Sequence, residues 1–115
     1  MDQAKKLARE WIEVWDRGDP STLPLADGFV HVSPFGRIEG REKYLEVVRP
    51  MAEANVASLH IQDVIGEGDR ACITFSMDTP NGPVACCDWV VVADGEIASV
   101  DSYYDSRNLS HFEKY

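Results

Sequence analysis

The sequence contains no run of about eighteen apolar residues, so no membrane-spanning helix is expected. Cations are scarce: 11 Lys and Arg stand against 20 Asp and Glu, a net charge of -9. Neutralising a phosphate backbone needs clustered Lys and Arg, so a nucleic-acid partner is not expected either. The three cysteines, Cys72, Cys86 and Cys87, are an odd number without zinc-ligand spacing, which argues against a disulfide framework. The three histidines are scattered and no carboxylate pair has ligand spacing, so no metal and no cofactor is expected. Met1-Asp2-Gln3-Ala4-Lys5-Lys6 leads into a charged amphipathic segment unlike a secretory signal. A reducing cytoplasm is the expected location.

What is present reads as one ordinary domain spanning 1–115. Its 115 residues, 44% hydrophobic and 27% charged, suffice for a core. Ala4, Leu7, Ala8, Trp11, Ile12 and Trp15 recur at helical spacing. Gly18 can cap that helix, and Asp19-Pro20 supplies a cap and first-turn proline for a short second one. Phe29 to Ser33 reads as a short strand closed by Pro34-Phe35-Gly36. A third helix is expected from Arg41, with Tyr44, Val47, Val48 and Met51 on one face, kinked or ended near Arg49 by Pro50.

From Leu59 onward the pattern is β: Leu59–Ile65, Ala71–Met77, Val84–Ala93 and Glu96–Tyr104. Between them lie Gly66-Glu67-Gly68-Asp69, Pro80-Asn81-Gly82-Pro83 and Asp94-Gly95. The Asn-Gly and Asp-Gly pairs predict tight hairpins with both turn residues at positive φ. Helices followed by a meander imply an α+β fold with helices across one concave sheet face, leaving an apolar pocket.

Four stretches give this order a resemblance: Trp11-Ile12-Glu13-Val14-Trp15-Asp16-Arg17-Gly18-Asp19, Ser33-Pro34-Phe35-Gly36, Gly40-Arg41-Glu42, and Asp88 followed by the Asp94-Gly95-Glu96-Ile97 hairpin. Tyr103-Tyr104-Asp105-Ser106-Arg107-Asn108-Leu109-Ser110 adds a closing stretch. Together they resemble the nuclear transport factor 2-like superfamily, in its SnoaL-like and ketosteroid isomerase-like branch. The resemblance implies a cone-shaped α+β barrel of cystatin-like type, with three N-terminal helices packed on a curved, mostly antiparallel sheet.

Residue by residue, the resemblance departs from steroid isomerases. Ser33 takes the place of the general base, Trp11 that of an oxyanion-hole tyrosine, and Leu25 and Val48 those of two supporting tyrosines. Asp88 matches the second oxyanion donor. The epoxide-hydrolase arrangement is also lost, since it needs an arginine and an acid where Cys86 and Ser102 stand.

Within its apolar strand Asp88 shares a face with Cys86, Val90 and Val92, and a buried unpaired carboxylate is protonated or paired. His31 shares a face with Phe29 and Ser33, which makes Asp88 and His31 the candidate catalytic pair. His60 is ambiguous in facing. Ala98, Val100, Ser102 and Tyr104 alternate onto one face, the pocket wall by resemblance. The candidate ligand-binding residues are thus Trp11, Ser33, Tyr104, Ser102, Val48, Leu25 and Val100. Asp101 and Tyr103 fall on the outer face, where the resemblance implies a homodimer contact. Cys86 and Cys87 point to opposite faces as small buried thiols.

Two functions are open. One is acid–base chemistry on a small apolar carbonyl compound: isomerisation, cyclisation or dehydration. The other is a non-catalytic ligand-binding or dimeric interaction module.

Overall fold

The computed structural model describes residues 3–53 and 58–108. Met1, Asp2 and the closing residues Leu109 and Ser110 named above lie outside them. Helix α1 is Gln3–Arg17, and its periodic face buries Ala4, Leu7, Ala8, Trp11 and Ile12, with Trp15 half-buried beside them. Gly18 ends it at φ 72, its N–H reaching the Val14 carbonyl at 3.0 Å.

The short second helix is only a 3-10 turn, Pro20–Thr22. Asp19 does cap it, accepting from Ser21 N at 3.1 Å, but Leu23 precedes Pro24 and is driven to extended backbone at ψ 138. The expected three helices are therefore two. Helix α2, Arg41–Glu53, runs through Pro50 instead of stopping near Arg49. Glu46 and Pro50 both face solvent, where water can satisfy the carbonyl that proline leaves unpaired.

The strands are β1 Leu25–Ser33, β2 Gly36–Glu39, β3 Ser58–Glu67, β4 Arg70–Thr79, β5 Gly82–Ala93 and β6 Glu96–Tyr104. They form one sheet ordered β2-β1-β6-β5-β4-β3, antiparallel except where β1 runs parallel to β6. Two strand edges remain, so the cone is an open curved sheet and not a closed barrel. Strand β1 starts four residues earlier than Phe29, because a register shift between Leu25 and Val30 absorbs the turn-like Asp27-Gly28. Strand β2 was not legible as a strand, being four residues that only complete the Pro34-Phe35 turn as a hairpin.

Turn chemistry separates the two predicted hairpins. Asp94 and Gly95 do take φ 52 and 79, the primed turn. Asn81 does not: Thr79 pairs with Gly82, so the loop residues are Pro80 and Asn81. Proline cannot adopt positive φ, and the left-handed position falls on Gly82 at φ 106 instead.

Irregular registers in the β1–β6, β3–β4 and β5–β6 ladders bend the sheet around the helices. The one between Val91 and Val92 skips Ala98, so Ile97 and not Ala98 joins Val100 and Ser102 as a buried position. On the concave side α1 lies across β3, β4 and β5, and α2 across β1. Gly66 permits one close approach: a Cβ there would stand 2.6 Å from the Lys5 stem of α1.

Candidate functional site

Four polar side chains meet inside this apolar layer. Asp88 on β5 is 3% exposed and lies directly across the ladder from Ser102 on β6, which is 8% exposed. His31 on β1, 9% exposed, pairs in register with Val100, two residues from Ser102, so its ring reaches Ser102 Oγ through Nε2 at 2.9 Å. From above, Trp11 of α1 donates its indole N–H to Asp88 Oδ2 at 2.7 Å. The sequence therefore brings together Trp11, His31, Asp88 and Ser102.

The remaining atoms are informative. Asp88 Oδ1 and His31 Nδ1 are buried with no hydrogen-bond partner. Buried polar atoms without partners are rare in folded proteins and call for a reason. Burial raises the Asp88 pKa from 3.8 to about 6, against hydrogen bonding by Trp11 and Ser102, which favours the anion. Burial likewise lowers His31 from 6.5 to about 4, so the imidazole is neutral at pH 7.

Aromatic rings enclose the pair. Trp11 stacks on Tyr44 of α2 with centroids 5.4 Å apart, and His31 meets both edge-on, at 5.3 Å from Trp11 and 5.4 Å from Tyr44. Phe29, two residues before His31, closes on Tyr44 at 5.0 Å. Tyr44 is 1% exposed and was read from sequence only as part of a helix face. Its ring contacts depend on how α2 crosses β1, which the sequence does not encode locally.

Of the other candidates, Val100 adjoins this group through its register with His31. Leu25, Val48 and Val100 are buried core residues, Leu25 paired with Ile97 at the start of β1. Ser33 and Tyr104 are half-buried at the C-terminal ends of the parallel strands β1 and β6. Ser33 Oγ accepts the Phe35 N–H at 3.1 Å, and the Phe35 and Tyr104 rings lie 6.0 Å apart. Trp11 gives its single N–H donor to Asp88. His60 is exposed and pairs with Asp78 at 2.9 Å.

An open cleft beside α1 and β3 is lined by Lys5, Lys6, Arg9, Glu10, Glu13 and Val64, and shares no residue with the buried group. Among the described residues, no set of three His, Cys, Asp or Glu side chains is placed to hold a metal, and no helix is long and apolar enough to cross a membrane.

Solved structures share this architecture. A protein of Kribbella flavida aligns with a TM-score of 0.84 at 19% identity, covering 96% of this chain and 93% of that one. A nuclear transport factor 2-like protein of Cytophaga hutchinsonii gives 0.80 at 23% identity, covering 93% and 94%. A candidate ketosteroid isomerase of Kribbella flavida gives 0.71 at 18% identity, covering 90% and 78%. No curated protein matches the sequence. The SnoaL-like domain family, in contrast, matches residues 8–100, which take in most of α1 and the whole of β5 with Asp88, and the chain belongs to that family.

Proposed function

We propose that this chain is an enzyme performing acid–base chemistry on a small apolar carbonyl compound, by isomerisation, cyclisation or dehydration. Asp88 is the group that carries the proton. The observation behind this reading is its divided carboxyl: Oδ2 is held by Trp11, while buried Oδ1 has no partner. Protonated, Oδ1 donates to a substrate oxygen and stabilises charge developing there. Ionised, it accepts a proton from the carbon framework. A pKa of about 6 keeps both forms accessible near neutrality, where general acid–base groups work best.

His31 and Ser102 complete the proposal. When Asp88 is ionised it only accepts, so the Ser102 hydroxyl orients toward it and Ser102 Oγ accepts from His31 Nε2–H. His31 Nδ1 is then a bare lone pair, a second base beside the same aromatic rings. Steroid isomerisation itself is not the proposed reaction. A serine, Ser33, stands where the isomerase base would be, and its hydroxyl oxygen accepts the Phe35 N–H of the turn.

The test uses phenols of graded acidity as oxyanion mimics, with turnover of β,γ-unsaturated and β-hydroxy ketones measured beside binding. Asp88→Asn should fold, retain phenol binding and lose turnover by about 10²–10⁴-fold, the range typical of general acid–base catalysis. Asp88→Leu should lose binding as well. Unchanged turnover in Asp88→Asn would remove the reading.

The alternative is a binder without turnover, favoured by Ser33 standing where the isomerase base would be. It predicts phenol binding with no conversion of any ketone. A homodimer through the outer sheet face belongs to the same proposal, because Tyr103 and Trp89 are exposed there, at 60% and 39%. A monomer mass independent of concentration in sedimentation, near physiological ionic strength, would oppose it.

A further inference from the structure

The outer face of the sheet holds a second pair of chemistry-bearing groups, unconnected with the Asp88 site. Cys72 on β4 pairs in register with Trp89 on β5, and Thr74 pairs with Cys87. Cys72 and Cys87 are therefore diagonal neighbours on adjacent antiparallel strands. Their side chains share the outer face, opposite to Cys86, which is buried inside and directs its thiol to the Val84 carbonyl at 3.5 Å. The Cys72 and Cys87 sulfurs stand 2.8 Å apart. That is closer than two unbonded sulfurs ordinarily sit, and a disulfide needs only about 0.8 Å more approach. Both thiols are half-buried and not sealed in the core.

We infer that Cys72 and Cys87 are an oxidisable pair that closes into a cross-strand disulfide, locking β4 to β5 on the outer face. The adjacent Cys86 takes no part, because neighbouring strand residues point to opposite faces.

With a peroxide as oxidant the step balances. The Cys72 thiolate attacks one peroxide oxygen, the O–O bond breaks, and the departing hydroxide takes the thiol proton as water. The Cys87 sulfur then attacks the Cys72 sulfenic acid, its S–H proton leaving with the sulfenic hydroxyl as a second water. Two thiols lose two electrons and the peroxide gains them. Desolvation, with the Cys72 hydrogen bond, holds the Cys87 thiol above its ordinary range, and the same steps balance with the two cysteines exchanged. Oxidised glutathione achieves the same closure by two exchanges, Cys72 forming a mixed disulfide that Cys87 resolves.

Redox buffers of reduced and oxidised glutathione, equilibrated with the folded chain, test this. After acid quench, intact mass should fall by about 2 Da, the loss of two hydrogens. Peptide mapping should place the bond between Cys72 and Cys87, and the oxidised chain should melt at a higher temperature. Cys86→Ser should behave as the unaltered chain. Cys72→Ser and Cys87→Ser should each lose the 2 Da shift and gain a glutathione adduct on the remaining partner. A glutathione adduct on the unaltered chain in place of the internal bond, no oxidation at all, or a bond involving Cys86, would overturn the inference.

Discussion

Trp11 and Asp88, 77 residues apart in sequence, are joined by a 2.7 Å hydrogen bond from indole N–H to carboxyl Oδ2 within the apolar layer between helix α1 and the sheet. Replacing Trp11 with Phe keeps an aromatic ring but removes the donor. Oδ2 then loses the hydrogen bond that the helix gives it, and burial dominates more strongly. The Asp88 pKa should rise above its present value of about 6. Stability should fall by about 1–3 kcal/mol, the usual consequence of an unpaired buried acceptor, and by more at pH 8 than at pH 4, where the acid is neutral. Carboxyl NMR titration and urea unfolding at the two pH values read both effects.

Asp88 and His31 oppose each other in the pH dependence of folding. The Asp88 pKa is raised in the folded chain, from 3.8 to about 6, so its favourable contribution is present below 3.8 and lost as pH rises through 6. The His31 pKa is lowered, from 6.5 to about 4, so its contribution is present above 6.5 and lost as pH falls through 4. Each swing is on the order of 3 kcal/mol, and they run in opposite directions over nearly one window. In the unaltered chain the two should largely cancel between pH 4 and 6.5. Asp88→Asn should unmask the His31 loss, with stability falling steeply on acidification. His31→Phe should unmask the Asp88 trend, with stability rising as pH drops from 6 to 4. Parallel curves for the three proteins would contradict the assignment.

How much of this was legible in sequence depends on whether the signal was local. Asp88 stood out because a carboxylate inside Val84–Val92 has one plausible facing, and alternation in β5 held through its whole buried half. In β6 it held for Val100 and Ser102 but not for Ala98, which the irregular register replaces with Ile97. Of the two outcomes that Pro50 left open, a kink or an end near Arg49, the structure excludes the end, since a proline on the solvent side of α2 leaves only a hydrated carbonyl. The Trp11–Asp88 bond, the placing of Tyr44 against His31 and the Cys72–Cys87 contact are set by packing and strand register. None has a signature in the neighbouring residues.

Ser33 provides a gain-of-function check. Its oxygen accepts the Phe35 N–H, and an Asp side chain offers an acceptor at nearly the same place, so Ser33→Asp should fold. It would also place a carboxylate at the position the isomerase resemblance assigns to the general base. Conversion of a β,γ-unsaturated steroid ketone should be negligible in the unaltered chain. It should rise in Ser33→Asp, by up to about 10²-fold, the lower end for general-base catalysis. The rise should vanish in Ser33→Asp/Asp88→Leu, which lacks the oxyanion donor. Isomerase rates already high in the unaltered chain would contradict both this prediction and the role given to Asp88.

His31 can be weighed against its own hydrogen bond. Its Nε2 is engaged with Ser102 Oγ at 2.9 Å, while Nδ1 is buried without a partner. Ser102→Ala leaves both ring nitrogens unpaired, and should cost about 1–3 kcal/mol. His31→Phe removes both nitrogens and keeps a ring that can meet Trp11 and Tyr44 edge-on, as the imidazole does at 5.3 and 5.4 Å. The Ser102 hydroxyl it releases still faces Asp88 across the ladder, so it is not stranded. His31→Phe should therefore be no less stable than the unaltered chain at pH 7, and Ser102→Ala should cost less in the His31→Phe background than alone. The coupling, about 0.5–3 kcal/mol for residues in one network, is measured by urea unfolding of the four proteins. A histidine that packing would replace with phenylalanine at no loss is held there by its nitrogens. A large destabilisation in His31→Phe would instead make it a structural residue and leave Asp88 as the sole proton carrier.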